Sequence, residues 1–110
     1  IQVLLTEYRE IKKIEIKIGK VIEAVAVPET DKLIRLTVDF GTEKRTVLAA
    51  VREFFDPDYF VGKEIPVLTN LEPRMFKGVE SQGMMLAAEV EGKPVLIHPE
   101  SEIPPGSIIV

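Results

Sequence analysis

The 110-residue sequence contains no cysteine and no tryptophan, and only one histidine, His98. Without thiols it has neither disulfides nor thiolate zinc sites, which fits a reducing compartment. No spaced His/Cys set is available to ligate a metal. No apolar run approaches the ~20 residues that span a bilayer, and no signal-peptide pattern opens the chain. A sugar site built on aromatic platforms would want Trp or Tyr, and only Tyr8 and Tyr59 are present. The first residue is Ile1 rather than methionine, so the chain reads as a processed or excised piece of something longer.

What is present is an ordinary folded composition, 45% hydrophobic and 29% charged, of a length that supports one core and one domain. The net charge of −4 argues against a bulk electrostatic grip on nucleic acid or an anionic membrane. Distribution matters more than the sum. Thirteen of the fourteen basic residues lie between Arg9 and Lys77, and Lys12, Lys13, Lys17 and Lys20 share a segment with the single acid Glu15. A local basic face on an acidic protein is therefore compatible with the sequence.

Ile1, Leu4, Leu5, Tyr8 and Ile11 recur at helical spacing and predict a short amphipathic helix over residues 1–11. Alternation follows at Ile14, Ile16 and Ile18, stumbles at Gly19-Lys20 and resumes to Val27, which points to a first strand bent by a bulge at the glycine. Pro28-Glu29-Thr30-Asp31 is a turn. Ile34, Leu36, Val38 and Phe40 alternate with polar residues as a half-buried second strand, and residues 45–51 form a third. Asp56-Pro57 starts a short helix, with the acid as N-cap, and Gly62 stops it. Residues 64–70 form a fourth strand, with Pro66 placing it at an edge or bulge, and residues 84–90 a fifth. Three strands, a short helix and two strands, with the first strand bent, is the succession of the OB-fold, a mostly β five-stranded barrel; a generic small barrel or sandwich reads the same at this level. Two apolar segments, 95–97 and 108–110, either cap the barrel's own sheet or pair with another chain, because free apolar edges invite aggregation.

Catalytic chemistry is sparse. His98 stands beside Pro99 and reads as a surface or packing residue. No Gly-x-Ser-x-Gly elbow surrounds Ser81, and there is no glycine-rich phosphate loop. Asp56 and Asp58 are accounted for by helix capping.

Four stretches carry a resemblance. Lys17-Ile18-Gly19-Lys20-Val21, Pro28 with Asp31-Lys32-Leu33, Asn70-Leu71 with Pro73-Arg74, and Gly78-Val79-Glu80-Ser81-Gln82-Gly83-Met84 resemble the tRNA-binding domain family, an OB-fold module found at the C-terminus of many methionyl-tRNA synthetases. Relatives also occur as free tRNA-binding proteins, synthetase cofactors, cytokine-like proteins and an export-associated chaperone. The match spans residues 12–110 and looks closest to the domain or separate subunit of an archaeal methionyl-tRNA synthetase. Where such proteins often write His-Pro-Asn-Ala-Asp-Lys-Leu, this chain has Val27-Pro28-Glu29-Thr30-Asp31-Lys32-Leu33; Glu72 and Met75 stand where bases are frequent.

The resemblance implies a non-catalytic cytoplasmic module with no cofactor and no membrane association. Its partners would be tRNA, recognised by shape rather than sequence, the synthetase catalytic domain (fused or separate), and a second copy of itself. A chaperone-like or protein-interaction role is the alternative. It divides the chain into a helical extension (1–13), the barrel (14–90) and a C-terminal extension that serves as dimer contact (91–110). On the RNA face, Lys32 is a tRNA-binding residue, Arg74 and Lys77 neutralise phosphates, Asn70, Ser81 and Gln82 offer hydrogen bonds, and Met84 supplies a polarisable contact. The Ser81 hydroxyl and Gln82 amide are expected to face solvent in the free protein. Structural readings stand beside these: Gly83 and Met84 as strand entry and core, Glu80 as an ion partner of Arg74, Phe76 as part of the core, Lys12 and Lys13 as solvated surface.

Overall fold

A computed structural model describes residues 7–110. Its elements are helix α1 (Tyr8–Ile11) and strands β1 (Ile16–Ala26), β2 (Ile34–Asp39), β3 (Lys44–Ala49), β4 (Glu64–Leu68), β5 (Arg74–Phe76), β6 (Val79–Ser81), β7 (Met84–Met85), β8 (Ala87–Val90) and β9 (Lys93–Leu96), with a 3₁₀ turn at Pro57–Phe60 between β3 and β4. Of the expected N-terminal helix, Ile1, Leu4 and Leu5 lie outside the described residues. Its described end leaves Tyr8 and Ile11 exposed.

The main sheet runs β3-β2-β1-β4-β7, antiparallel throughout. β1 makes this a barrel: residues 16–20 pair with β4 and residues 20–26 with β2. The bend expected in β1 exists, but its bulge lies between Val21 and Glu23 rather than at Gly19. Gly19 is in regular register with Ile65, and a Cβ there would overlap the side chains of Val38 and Phe40. The glycine serves close packing, and the extra residue at Ile22 supplies the turn of the strand.

Pro66 is likewise not at an edge. It pairs with Ile18 in the interior of the sheet, where Ile18 points its own N–H and C=O away from β4, to Ser107 and Gly106 (2.9 and 2.7 Å). No bond to β1 is asked of the proline nitrogen at such a position, and on the other side the Pro66 carbonyl accepts from the Leu86 N–H at 3.0 Å.

The core is Val21, Ile34, Leu36, Val38, Phe40, Val47, Ala49, Val51, Phe60, Ile65 and Val67, the inward set of the alternating strands. Phe60 comes from the 3₁₀ turn and plugs one end of the barrel, with Phe55 packed edge-on against it at 5.5 Å. Asp56 precedes that turn, yet its side chain makes no capping hydrogen bond; Pro57 at the first position and the buried Phe60 hold the turn.

The expected fifth strand, residues 84–90, is split. Met84–Met85 belongs to the barrel, and Ala87–Val90 leaves it to form a hairpin with β9 across Glu91-Gly92, both at positive φ (51° and 79°). Residues 106–109 then return along β1, with an Ile109 N–H to Ile16 C=O bond of 2.9 Å. The tail is fastened at Glu64, whose backbone carbonyl accepts from His98 Nδ1 (2.7 Å) and whose carboxylate accepts from the Ile103 amide (2.9 Å). Of the two apolar tail segments, residues 108–109 thus lie along the barrel's own β1, while Val95 and Leu96 pair with β8 in a separate two-stranded sheet.

Candidate nucleic-acid interface

Ligands of OB barrels dock against the strand face framed by the β1–β2 loop and the loop that follows the fourth strand. Here those loops are residues 27–33 and 69–83. The second contains a hairpin absent from the strand reading: β5 and β6 pair Arg74 with Ser81, Met75 with Glu80 and Phe76 with Val79. The joint is Lys77-Gly78, at φ 50° and 79°. Two successive positive-φ residues make the turn that matches strand twist, and Gly78 takes its share without strain. The signal was Gly78 between two three-residue runs, disguised because lysine rather than Asn or Asp precedes it.

The hairpin tip leans on the first loop, where Lys77 Nζ lies 3.5 Å from the Glu29 carbonyl oxygen. Lys32 is exposed on that same loop. Arg74 is exposed and has no ion pair among the described residues; Glu80 lies opposite Met75, so it is not the partner of Arg74. Counting both loops gives three cations (Lys32, Arg74, Lys77) and four acids (Glu29, Asp31, Glu72, Glu80). The two loops by themselves therefore carry no excess positive charge, and directed contacts must supply part of any grip on a polyanion.

Three of the polar residues singled out from the sequence are engaged within the chain. Thr46 and Leu48 turn their amides to the outer edge of β3. Ser81 Oγ accepts from the Leu48 N–H (3.1 Å) and donates to the Gly83 carbonyl (3.0 Å). Gln82 Oε1 accepts from the Thr46 N–H (3.0 Å), while the Gln82 N–H donates to the Thr46 carbonyl (2.8 Å). These bonds replace a regular ladder and close the barrel between β3 and residues 81–83. The expectation that hydroxyl and amide face solvent is overturned: the hydroxyl and the amide oxygen accept from β3 amides that have no strand partner on that side. Gly83 sits in the same seam: a Cβ would come within 2.9 Å of Val67 Cγ1 and 3.0 Å of the Leu68 carbonyl oxygen.

Asn70 is a clamp. Its Oδ1 accepts from the Glu15 N–H (2.8 Å) and its Nδ2 donates to the Lys13 carbonyl, which pins the segment bearing Lys12 and Lys13 beside the start of the second loop. Next to it the Thr69 hydroxyl donates to Glu15 Oε1 (2.7 Å). That bond holds the Glu15 carboxyl below its ordinary value, against the opposing effect of burial and with help from Lys17 at 3.6 Å.

Two arginines passed over in the sequence complete the frame. Arg45 donates to the carbonyls of Thr69 and Gln82 (3.2 Å to the latter) and pairs with Glu43 at 2.7 Å. Arg52 braces the first loop through the carbonyls of Val27 (3.4 Å) and Thr30. Neither belongs to a spaced motif, so only the tertiary arrangement reveals them.

Between the loops lies a groove of about 340 Å³, lined by Leu33, Leu48, Leu71, Met75, Phe76 and Met84, with Arg74 and Glu72 also on its walls. Met84 and Phe76, read as candidates for the core, are 48% and 49% exposed here. Among the described residues no group of three His, Cys, Asp or Glu side chains could hold a metal, and no helix is long and apolar enough to cross a membrane.

Comparison with known proteins agrees with this geometry. The family described as putative tRNA binding domain matches residues 16–108. A methionine–tRNA ligase of Parabacteroides distasonis is 42% identical over 92% of the chain, and one of Archaeoglobus fulgidus 45% identical over 89%; the chain spans 15% of the length of each. Among solved structures, a MetRS-related protein from Pyrococcus horikoshii superposes with a TM-score of 0.94 at 39% identity, covering 98% of this chain and all of that one. The chaperone CsaA from Bacillus anthracis superposes at 0.87 with 26% identity, covering 97% of this chain and all of that one.

Proposed function

The chain belongs to this tRNA-binding domain family, and from that premise we propose that it is a non-catalytic module that raises the tRNA affinity of a methionyl-tRNA synthetase in the cytoplasm, fused to it or as a separate subunit. The observation that carries the reading is the hairpin at residues 74–81. It presents Arg74 and Lys77 outward from the ligand-facing loops of an OB barrel, with Lys32 exposed on the neighbouring loop. Arg74 forks onto phosphate oxygens and Lys77 and Lys32 act as point charges. Met84 lies in the groove between them. Asn70, Ser81 and Gln82 contribute by holding the loops in place, and whatever valences they retain toward RNA are secondary.

The proposed assembly is a homodimer through the termini. Val95, Ile97, Ile108 and Ile109 stay substantially exposed in the folded chain, which supports it. A second reading, a chaperone-like protein-binding module, is favoured by the apolar groove and by the likeness to the CsaA chaperone. A gel shift with bulk tRNA at two salt concentrations separates them. Phosphate contacts make binding fall steeply with salt, whereas an apolar client does not.

A further inference from the structure

The proposed phosphate contacts account for Arg74, Lys77 and Lys32 but, Met84 aside, give the apolar lining of the groove beside them no part in RNA binding. Its volume of about 340 Å³ falls at the low end of the ~300–1,000 Å³ of small-molecule sites. Its apolar lining is open to solvent: Met75 is 65% exposed and Leu71 45%, beside the half-exposed Phe76 and Met84. Phosphate and ribose pressed onto these side chains would lose water without gaining hydrogen bonds. In an A-form duplex the bases are paired and stacked, and they meet a protein only by their edges in a shallow groove. A duplex laid across the hairpin would cover the cations and leave the groove unfilled.

An unpaired base has the matching chemistry. It is flat, weakly polar on its faces, and tethered to a phosphate within reach of a cation on the wall. Arg74 offers a guanidinium without an ion pair among the described residues, and Glu72 on the same groove repels phosphate and so directs the backbone toward Arg74. With three cations against four acids, the two loops carry no net positive charge of their own, and the apolar surface adds to the affinity. The Ser81 hydroxyl and the Gln82 amide oxygen are committed to the barrel seam, which leaves few groups to read base edges, and methionines adapt to any base.

We infer that this groove is a subsite for one or two unpaired nucleotides of RNA, with bases against Met75, Phe76 and Met84, the adjoining phosphate on Arg74, and little base preference. The inference rests on the tRNA-binding reading and deepens it, since it directs the module to unpaired segments of tRNA rather than to its stems.

The test is fluorescence anisotropy with the intact chain at one low salt concentration. The probes are a labelled unstructured hexaribonucleotide, the same strand annealed to its complement, bulk tRNA, and an uncharged apolar nonapeptide. The single strand binds about tenfold tighter than the duplex, and Met75→Ala and Leu71→Ala each weaken it about fivefold without changing duplex binding or Tm. Arg74→Ala weakens both RNA forms. Equal affinity for single strand and duplex, or no effect of either apolar substitution on the single strand, overturns the inference; tRNA binding that persists in that case leaves the proposed function standing. A nonapeptide that binds and is weakened by Met75→Ala, while the hexanucleotide is not, makes the groove a peptide site and also overturns it. Loss of all RNA binding, bulk tRNA included, overturns both.

Discussion

Removing the Ser81 hydroxyl should loosen the barrel before it touches any ligand. In Ser81→Ala, the Leu48 amide loses its acceptor at 3.1 Å and the Gly83 carbonyl its donor at 3.0 Å. An orphaned buried amide costs ~1–3 kcal/mol, and the seam is half-buried, so water restores part of that and the lower half of the range applies, about 1.5 kcal/mol. Gln82→Ala removes the acceptor of the Thr46 N–H while keeping the backbone bond between the same residues, and should cost about 1 kcal/mol. At roughly 4 °C per kcal/mol for a domain of this size, Tm falls by about 6 °C and about 4 °C. Urea melts followed by circular dichroism should show lower midpoints with an unchanged slope, because the extent of the core is the same. Ser81→Thr, which keeps a hydroxyl, and Gln82→Glu, which keeps an acceptor, should recover most of the loss. If both alanine variants melt within 1 °C of the parent, the side chains do not close the barrel and the geometric argument for them fails.

Gly83→Ala should be worse than either, because the new methyl meets Val67 and the Leu68 carbonyl at once; a cost of ~2 kcal/mol or more is expected, read as a lower urea midpoint. Glu15 gives a pH prediction. Its carboxyl is held below the ordinary value of 4.5, so its contribution to stability is present above the unfolded value and lost as pH falls through the folded one. Thr69→Val removes the principal cause, so Tm measured from pH 6 down to pH 3 should fall less steeply in the variant. An identical acid limb would contradict the assignment. For the proposed homodimer, light scattering at micromolar concentration should return twice the chain mass. Deleting residues 94–110 should abolish the dimer and, by stripping the hydrogen-bond partners of Ile16 and Ile18, lower the stability of whatever monomer remains.

The barrel was legible because it rests on local pattern. The alternation of Ile34, Leu36, Val38 and Phe40 predicts the buried face of β2, and all four are buried. A short helical turn between β3 and β4 and a bent β1 also follow from sequence. What was not legible depends on contacts between distant segments. Gly19 looks like a bulge, but close approach of Val38 and Phe40 gives the same residue a different task. Ser81 and Gln82 look like ligand groups because polar residues between glycines usually lie on the surface; their partners, Leu48 and Thr46, are more than thirty positions away. Arg74 and Lys77 were singled out through the family resemblance, whereas the groove beside them appears only once Leu33, Leu48 and Leu71 are brought together.

The central claim is that Arg74 and Lys77 grip RNA phosphates. The direct measurement is the dependence of log affinity for bulk tRNA on log salt concentration, compared between the parent chain and the Arg74→Ala/Lys77→Ala double variant. Each phosphate contact contributes a slope of about −0.7 to −0.9, so the double variant should bind more weakly across all tRNA species, with a slope flatter by about 1.5. A double variant with the parent's affinity and slope would contradict the claim and move the interface away from the hairpin.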